Sequence, residues 1–267
     1  MRLTALYRYP VKSAQGETLQ ASAVEGLGLV GDRRWMLVDE ASGRFHTQRN
    51  LLLLGRLSAQ YSADGGLNLS APGLPPLYVP VPAPDSDLRG VVIWKDALRV
   101  PDAGEAAARW VSELVGKPTR LVHVPDHRTR PLGAGDGEPE DRVAFADGFP
   151  LLLINQASVD DLSRRVGRPM AMLRFRPNLV VEGFEAYAED GWKRLRIGDV
   201  TFRVAKPCAR CVLTTIDPAT HERDSDREPL NTLKGYRLQE GGIMFGQNVI
   251  SEGRGVLELG MAVIPLE

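Results

Sequence analysis

The sequence predicts a mainly β protein with a few helices, an α+β fold built from many short strands. Three observations lead to this prediction. Short apolar segments with period-two alternation recur along the chain. Tight-turn signals separate several of them, at 64–66, 95–96 and 198–199. Helical periodicity, in contrast, is confined to two segments. Turns at this spacing indicate a small barrel or sandwich.

The strands follow from alternation, from short apolar or β-branched segments, and from the turn residues at their ends. They are predicted at 3–9, 35–38, 45–49, 56–62, 67–70, 91–94, 97–100, 119–124, 151–154, 179–182, 212–216 and 245–250, with a hairpin at 194–204 and closing strands at 255–265. The segment 72–84 is rich in proline, which excludes a helix or a central strand there.

Two helices are predicted. The first begins at Asp102-x-x-Glu105, a capping-box variant, and its apolar stripe runs to Gly116. The second covers 155–166, where apolar residues line one face. Between the two helices, residues 125–141 collect proline, glycine and charge without periodicity. This pattern predicts an inter-domain connection or a mobile flap over a site.

Composition narrows the class of protein. The 267 residues are 43% hydrophobic and 25% charged, the balance of a globular protein with an ample core. A net charge of −1 predicts no bulk attraction to nucleic acid or to an anionic membrane. No apolar run reaches the length of a membrane-spanning helix. Because the sequence starts with a strand pattern rather than a signal peptide, and its two cysteines fit a reducing compartment, we expect a cytoplasmic location.

Both cysteines lie in one Cys208-x-x-Cys211 pair between two apolar segments, which predicts a position on a connection between strands. Three interpretations stay open from the residues alone: a zinc site, a thioredoxin-like redox pair, and two half-buried cysteines. The histidines show no spacing that completes a zinc site, and a proline before the pair with β-branched residues after it is atypical of a redox pair. Arg210, inside the pair, is expected to favour a thiolate.

Basic residues in three other segments suit an anion. Lys12 and Ser13 lie in a short polar loop, which is typical of a phosphate contact or of a solvated turn. Arg33 leads from a glycine-rich loop into a strand, so these glycines are not a dinucleotide fingerprint, which needs a helix there. On an extended chain Arg174 and Arg176 point the same way, and they flank an anion or make separate salt bridges.

Three motifs follow one another in the second half of the chain: Lys206-Pro-Cys-Ala-Arg-Cys-Val-Leu-Thr-Thr-Ile-Asp-Pro218, Arg227-Glu-Pro-Leu-x-Thr-Leu-Lys-x-Tyr-Arg237 and Phe245-Gly-Gln247. They resemble the C-terminal signature of the MOSC domain, in particular that of the mitochondrial amidoxime-reducing component and its bacterial relatives. The resemblance implies an N-terminal MOSC-associated β-barrel domain at 1–125. This domain would pack on a MOSC β-barrel domain at 126–267, with a molybdenum cofactor site at the junction.

The resemblance also implies the site residues. Cys211 corresponds to the family's thiolate ligand of molybdenum, and Asp147 to its active-site aspartate, the expected proton donor. The residues implied to bind the cofactor are Lys12, Ser13, Arg33, Gly148, Phe149, Arg176, Asn178, Ala209, Arg210, Cys211, Gln247 and Asn248. The family has polar residues at the two positions after the aspartate, so backbone contacts are expected there.

The implied activity is that of an oxidoreductase with the molybdenum cofactor (Mo-molybdopterin), which reduces small N-hydroxylated compounds from N–OH to N–H and releases water. Both cysteines belong to the pair and no dinucleotide fingerprint is present. Electrons are therefore expected from a separate ferredoxin- or cytochrome-type protein with its reductase. Two alternatives accompany the same resemblance: a sulfur carrier with a persulfide on Cys211, and a non-catalytic molybdopterin carrier.

Overall fold

The computed structural model describes residues 1–83 and 86–266. Pro84, which ends the proline-rich segment, and Glu267, which ends the predicted second domain, lie outside the described residues. The strands are β1 (Arg2–Arg8), β2 (Glu17–Leu19), β3 (Ala21–Glu25), β4 (Gly28–Leu29), β5 (Trp35–Asp39), β6 (Ser58–Tyr61), β7 (Leu67–Ala71), β8 (Leu74–Val79), β9 (Leu88–Ile93), β10 (Asp96–Pro101), β11 (Thr119–His123), β12 (Arg130–Pro131), β13 (Arg142–Val143), β14 (Leu151–Asn155), β15 (Leu179–Glu182), β16 (Arg194–Ile197), β17 (Val200–Arg210), β18 (Leu238–Gln239), β19 (Gly242–Ser251), β20 (Gly255–Glu258) and β21 (Val263–Pro265). The α-helices are α1 (Glu105–Val115), α2 (Gln156–Val166) and α3 (Leu230–Arg237), and 3₁₀ turns occupy Leu52–Arg56, Asp126–Arg128, Met172–Phe175, Ala188–Gly191 and Val212–Thr215. The predicted mainly β, α+β class is confirmed.

One curled sheet carries most of the second half. Its order is β2-β1-β15-β14-β19-β17-β16-β21, and β18 pairs with β19. Along this path only β14 and β15 run parallel. The two ends of the sheet approach each other, because the Leu3 N–H donates to Met261 O at 2.9 Å and Arg2 bridges to Ala262. Its inner face buries a continuous core of mainly aliphatic side chains together with Phe202.

Smaller sheets and α1 form the other half. Strands β6, β7 and β8 make one sheet, β9 and β10 make a hairpin, and β5 pairs with β11. Helix α1 packs its apolar stripe on these strands, and Trp110 and Val111 join Trp35 and Leu121 in a second core. The proline-rich β8 lies at a sheet edge, where a missing N–H does not interrupt a ladder.

The first strands of the chain pack with the second half: β1 and β2 belong to the curled sheet, and β3 and β4 form a separate three-stranded sheet with β20. Strand β1 pairs with β15 and β3 pairs with β20. Leu3, Leu6, Val24 and Leu29 are buried in the same core as the strands of the second half. The two halves therefore share one core where the first strands pack on the second half. The domain boundary between 125 and 126 stays a prediction.

Short apolar segments with clear ends, and one amphipathic helix, were located well from the sequence. The predicted strands at 3–9, 35–38, 67–70, 119–124, 151–154 and 179–182 and the helix at 155–166 match β1, β5, β7, β11, β14, β15 and α2 to within one residue. Asn155 caps α2 by accepting a hydrogen bond from the Ala157 N–H at 3.2 Å. The segment 125–141 holds β12 and is tied to β17 by ion pairs such as Asp141–Arg203, at 2.9 Å.

The capping box was wrong. Helix α1 begins after Gly104, whose φ of 87° suits glycine, and no side chain caps it. Asp102 is occupied elsewhere: its carboxylate accepts two hydrogen bonds from Arg120, at 2.8 and 2.9 Å, and one from Arg89. An unpaired buried guanidinium costs more free energy than an uncapped helix end, so the Asp102 carboxylate pairs with Arg120. The expected stop at Gly116 is confirmed, in a left-handed conformation.

Two predicted strands are absent from the described residues. At 45–49 only Phe45 makes a bridge, to Val38, before the chain turns away. Residues 212–215 form a 3₁₀ turn, because the hydroxyls of Thr214 and Thr215 donate to the carbonyls of Cys211 and Val212. Such local hydrogen bonds compete with a strand ladder. Helix α3, with a glycine in its interior, was not predicted; tertiary packing of Leu233 supports it.

Candidate functional site

A cleft of about 210 Å³ opens between the two halves of the protein. Loops from both halves line it, and the curled sheet contributes the end of β17. It contains all but one of the side chains or backbones predicted for the site: Lys12, Ser13, Arg33, Asp147, Gly148, Phe149, Arg176, Asn178, Ala209, Arg210, Cys211 and Asn248. Residues far apart in the sequence thus meet at one place.

The exception is Gln247. Its side chain is 1% exposed and its amide donates to Asp190 Oδ1 at 2.7 Å, away from the residues that line the cleft. Its neighbour Asn248 faces the other side of β19 and lines the cleft, with its amide 3.3 Å from Pro207 O. Alternation along the strand separates the two, so Gln247 supports the sheet rather than the cleft.

The two cysteines differ in position. Cys208 lies inside β17, and Cys211 follows the strand directly, where the 3₁₀ turn begins. The pair is therefore not wholly on a connection between strands, because β17 stays paired with β19 through Arg210. Both cysteines line the cleft, and Cys211 lies where the chain leaves the sheet.

The arginine next to the Cys211 sulfur is not the one that the sequence suggests. Arg210 donates to Cys208 Sγ at 3.0 Å and to Phe175 O at 2.6 Å. Arg49 lies nearer to Cys211, with Nη2 at 3.5 Å from Sγ and at 3.3 Å from Asp147 Oδ2. Arg49 was not predicted as a site residue. No local pattern marks it, since only the fold brings it to the cleft.

Arg33 and Arg176 both lie against the ring of Tyr9, which the sequence reasoning also missed as a site residue. Their guanidinium carbons are 4.4 and 4.1 Å from its centroid. The Tyr9 hydroxyl donates to Pro177 O at 3.0 Å, which fixes the ring. One buried aromatic ring thereby holds two cations beside each other on the cleft wall.

The pKa values of these two guanidinium groups shift in opposite directions. Desolvation lowers the pKa of Arg176 to about 10, with Arg33 adding to the effect. Burial also acts to lower the pKa of Arg33, but the adjacent Asp32 carboxylate outweighs it, so that pKa is raised. Among the described residues, no carboxylate forms a salt bridge with Arg176, and an anion in the cleft would stabilise its charge.

The predicted common direction of Arg174 and Arg176 is wrong. Residues 172–175 form a 3₁₀ turn and Arg176 has a φ of 54°, so the chain is not extended there. Arg174 turns away and donates to Asp217 Oδ2 at 2.7 Å. Arg176 donates to Ala14 O, also at 2.7 Å, and lines the cleft.

Three residues that line the cleft have strained backbone. Ser13, Arg33 and Arg176 have φ values of 64°, 48° and 54°, in the left-handed region that side chains disfavour. Each such residue costs about 1–2 kcal/mol and persists when its surroundings fix it. Three of them on one cleft wall are typical of a site whose geometry serves binding rather than stability.

Lys12 and Asp147 form an ion pair at the cleft. The Lys12 ammonium is buried and also donates to Phe145 O at 2.8 Å, and burial lowers its pKa. The Asp147 side chain is 57% exposed at the cleft mouth. Desolvation acts to raise the pKa of Asp147, but Lys12 outweighs it and Arg49 adds to the lowering, so the pKa lies well below its ordinary range. Asp147 is therefore a carboxylate at neutral pH.

Backbone donors complete the cleft. Within the described part of the chain, no hydrogen bond uses the backbone N–H of Asp147, Gly148 or Phe149. A side chain added at Gly148 would meet nothing within 4 Å, so space lies open beside it. Asn178, fully buried, uses its amide to hold Leu152 N–H, Tyr7 O and Arg33. It acts on the cleft by positioning that arginine.

Comparison with known families decides where this architecture belongs. Residues 1–118 match the MOSC N-terminal beta barrel domain, and residues 140–264 match the MOSC domain. The chain belongs to the MOSC family. The two matches leave 119–139 between them, which includes most of the segment predicted as a connection.

Named MOSC relatives cover most of the chain. Mitochondrial amidoxime-reducing component 1 of Homo sapiens is 34% identical over 96% of this chain and 80% of its own length. Mitochondrial amidoxime reducing component 2 of Rattus norvegicus is 34% identical over 97% and 81%. Among solved structures, the YUAD protein from Bacillus subtilis covers 98% of this chain and 93% of its own, with 10% identity and a TM-score of 0.48.

Two further observations concern location and metals. No helix in the described ranges is long and apolar enough to cross a membrane. The relatives are mitochondrial by name, and the cytoplasmic location expected from the sequence stays a prediction. Residues 1–83 and 86–266 contain no group of three or more His, Cys, Asp or Glu placed to hold a metal.

Proposed function

We propose that this MOSC protein is a molybdenum-cofactor-dependent reductase of N-hydroxylated compounds. The observation that carries the proposal is the composition of the cleft: the cysteine pair with Cys211 at the end of β17, beside buried cations and open backbone N–H groups. A soft thiolate suits molybdenum, and the cations suit the phosphate of molybdopterin. The 34% identity to amidoxime-reducing components over nearly the whole chain supports the same reading.

The residues of the cleft fit such a cofactor. Cys211 would supply the sulfur ligand, and Arg33 and Arg176 would face the anionic portion, where one anion offsets two adjacent guanidinium groups. Lys12 would add a third positive charge. The free N–H groups near Gly148 and the space beside that glycine suit a flat, hydrogen-bonding ring system.

When bound, the cofactor supplies a metal that exchanges two electrons and accepts an oxygen atom. The overall reaction is R–NH–OH + 2e⁻ + 2H⁺ → R–NH₂ + H₂O, in which the N–O bond breaks and the oxygen leaves as water. The protein orients the N–OH group and delivers the protons. The electrons come from a separate ferredoxin- or cytochrome-type protein.

Proton delivery falls to the pair Lys12 and Asp147. Asp147 carries no proton at neutral pH, because Lys12 and Arg49 stabilise its charge. The proton of this pair is held at Nζ of Lys12, whose pKa is lowered by burial. Asp147, exposed at the mouth, would relay a proton from water to that nitrogen. The role of proton donor that the family resemblance implies for Asp147 thereby becomes a role of relay.

The test combines metal analysis with an anaerobic assay. We expect about one molybdenum per chain and turnover of an amidoxime with reduced viologen. NADH without a second protein should give none. Molybdenum without turnover would favour the non-catalytic carrier, and cyanide-releasable sulfur on Cys211 without molybdenum would favour the sulfur carrier. Steady turnover with NADH alone would contradict the requirement for an external donor.

A further inference from the structure

Trp94 is a large aromatic residue in a place that fold stability does not favour. It begins the two-residue turn between Ile93 and Asp96, which joins β9 to β10, and its φ is 54°. A positive φ at the first position of such a turn favours glycine. The side chain is also 45% exposed, so burial offsets little of the strain.

The ring of Trp94 contacts the arginine that reaches into the cleft. The Arg49 guanidinium carbon is 4.6 Å from its centroid, and Phe45 packs edge-on against the same ring at 5.0 Å. A guanidinium group that stacks on an aromatic face keeps its N–H donors directed outward in its own plane. The aromatic surface therefore fixes the plane in which Arg49 donates.

The guanidinium group of Arg49 also contacts the two side chains that are proposed to act in the reaction. Nη2 of Arg49 is 3.3 Å from Asp147 Oδ2 and 3.5 Å from Cys211 Sγ. In the described ranges, Arg49 is the only side chain that hydrogen-bonds both of these groups. Its backbone is held as well, because Arg223 donates to the Arg49 carbonyl. A strained surface tryptophan is thus one contact away from the proposed metal ligand.

We propose that Arg49 is a positioning residue that holds Cys211 and Asp147 at a fixed separation, and that Trp94 acts through Arg49 as its platform. The role of Cys211 as metal ligand belongs to the proposed function, and this inference rests on it. A lysine at 49 would keep the charge but could not stack a planar group and donate to both partners from one nitrogen plane. The strain at Trp94 is retained because glycine, the residue that the turn favours, offers no ring.

The experiment is a double-mutant cycle of Trp94→Gly and Arg49→Lys, with Trp94→Phe and Lys95→Ala as controls. We expect Trp94→Gly to keep or raise the melting temperature, because it relieves the turn. It should lower retained molybdenum and kcat about threefold or more, and Arg49→Lys about tenfold. The double variant should be no worse than Arg49→Lys alone. Trp94→Phe keeps an aromatic ring and should therefore avoid most of the loss seen in Trp94→Gly. Lys95→Ala, in the same exposed turn, should change neither retained molybdenum nor kcat.

A second readout needs no cofactor. In cofactor-free protein, the Nε–H NMR signal of Arg49, assigned by its loss in Arg49→Lys, should be shifted by the Trp94 ring and should move in Trp94→Gly. A signal at the position of an exposed arginine in the wild-type protein would overturn the inference. So would fully additive losses in the cycle, or no rescue by Trp94→Phe. If the wild-type protein turns over no N-hydroxylated substrate, the proposed function fails, while the NMR signal still decides the roles of Arg49 and Trp94.

Discussion

The two sulfur atoms of the cysteine pair have different neighbours, and this difference predicts different roles. Arg210 donates a hydrogen bond to the Cys208 sulfur, whereas Arg49 donates one to the Cys211 sulfur at the cleft. A hydroxyl is a poor substitute for a thiolate on a soft metal. We therefore expect Cys211→Ser to lose molybdenum and reductase activity, while Cys208→Ala keeps a clear fraction of both. Metal analysis and kcat of the two variants check this, and equal losses would favour a redox pair or a zinc site instead.

Strain at Arg176 gives a second test at this scale. Its φ of 54° favours glycine, so Arg176→Gly should be more stable than Arg176→Ala by about 1 kcal/mol. Both variants lose the guanidinium group and should retain equally little cofactor. Urea unfolding of the cofactor-free proteins measures the difference.

Arg164 supplies the matched control. It is exposed on α2, inside a regular helix. There Arg164→Gly should be less stable than Arg164→Ala by about 1 kcal/mol, the opposite sign. The same order at both positions would contradict strain as the cause.

At the scale of elements, the pairing of β5 with β11 buries a histidine against a tryptophan. The rings of His123 and Trp35 are 4.7 Å apart, and Nδ1 of His123 lacks a hydrogen-bond partner among the described residues. Desolvation, together with Arg34, lowers the pKa of His123 to about 4. The neutral ring is therefore the form that the folded state favours.

This lowered pKa predicts a pH dependence of stability. The unfolded state binds a proton near pH 6.5 but the folded state only near pH 4, so the contribution of His123 is complete above about 6.5 and is lost as pH falls toward 4. The loss is on the order of 3 kcal/mol at most. His123→Gln should flatten the unfolding free energy across this window relative to wild type. His127→Gln, at an exposed position, is the control; an identical slope in all three proteins would refute the assignment.

At the scale of the whole molecule, β1 and β2 complete the curled sheet of the other half, while β3 and β4 form a separate sheet with β20 on the same core. Leu3 and Leu6 are fully buried in that core, and removal of β1 would leave an edge of β15 open. We expect residues 126–267 alone to remain unfolded or to aggregate. Joining residues 1–29 to 126–267 through a flexible linker should restore cooperative unfolding. Circular dichroism during heating distinguishes the two, and a cooperative transition of 126–267 by itself would contradict this view of the fold.

Several features of this protein follow from the sequence by itself. Short continuous apolar segments located β5, β14 and β15, because both faces of each strand are buried and the pattern is local. The motif around Cys211 and the Lys12-Ser13 loop predicted residues that do meet in the cleft. Such residues belong to compact motifs whose spacing is visible without the fold.

Only the tertiary structure decided which side chains act together. Arg174 and Arg176 diverge because a 3₁₀ turn replaces the expected strand, and Gln247 turns inward while Asn248 lines the cleft. Arg49 and Trp94 carry no sequence signal. Their contact joins residues 45 positions apart, and Arg49 meets Cys211 across 162 positions. Local periodicity fixes which elements form. Long-range packing then selects the conformation of each loop, and with it the atoms that face the cleft.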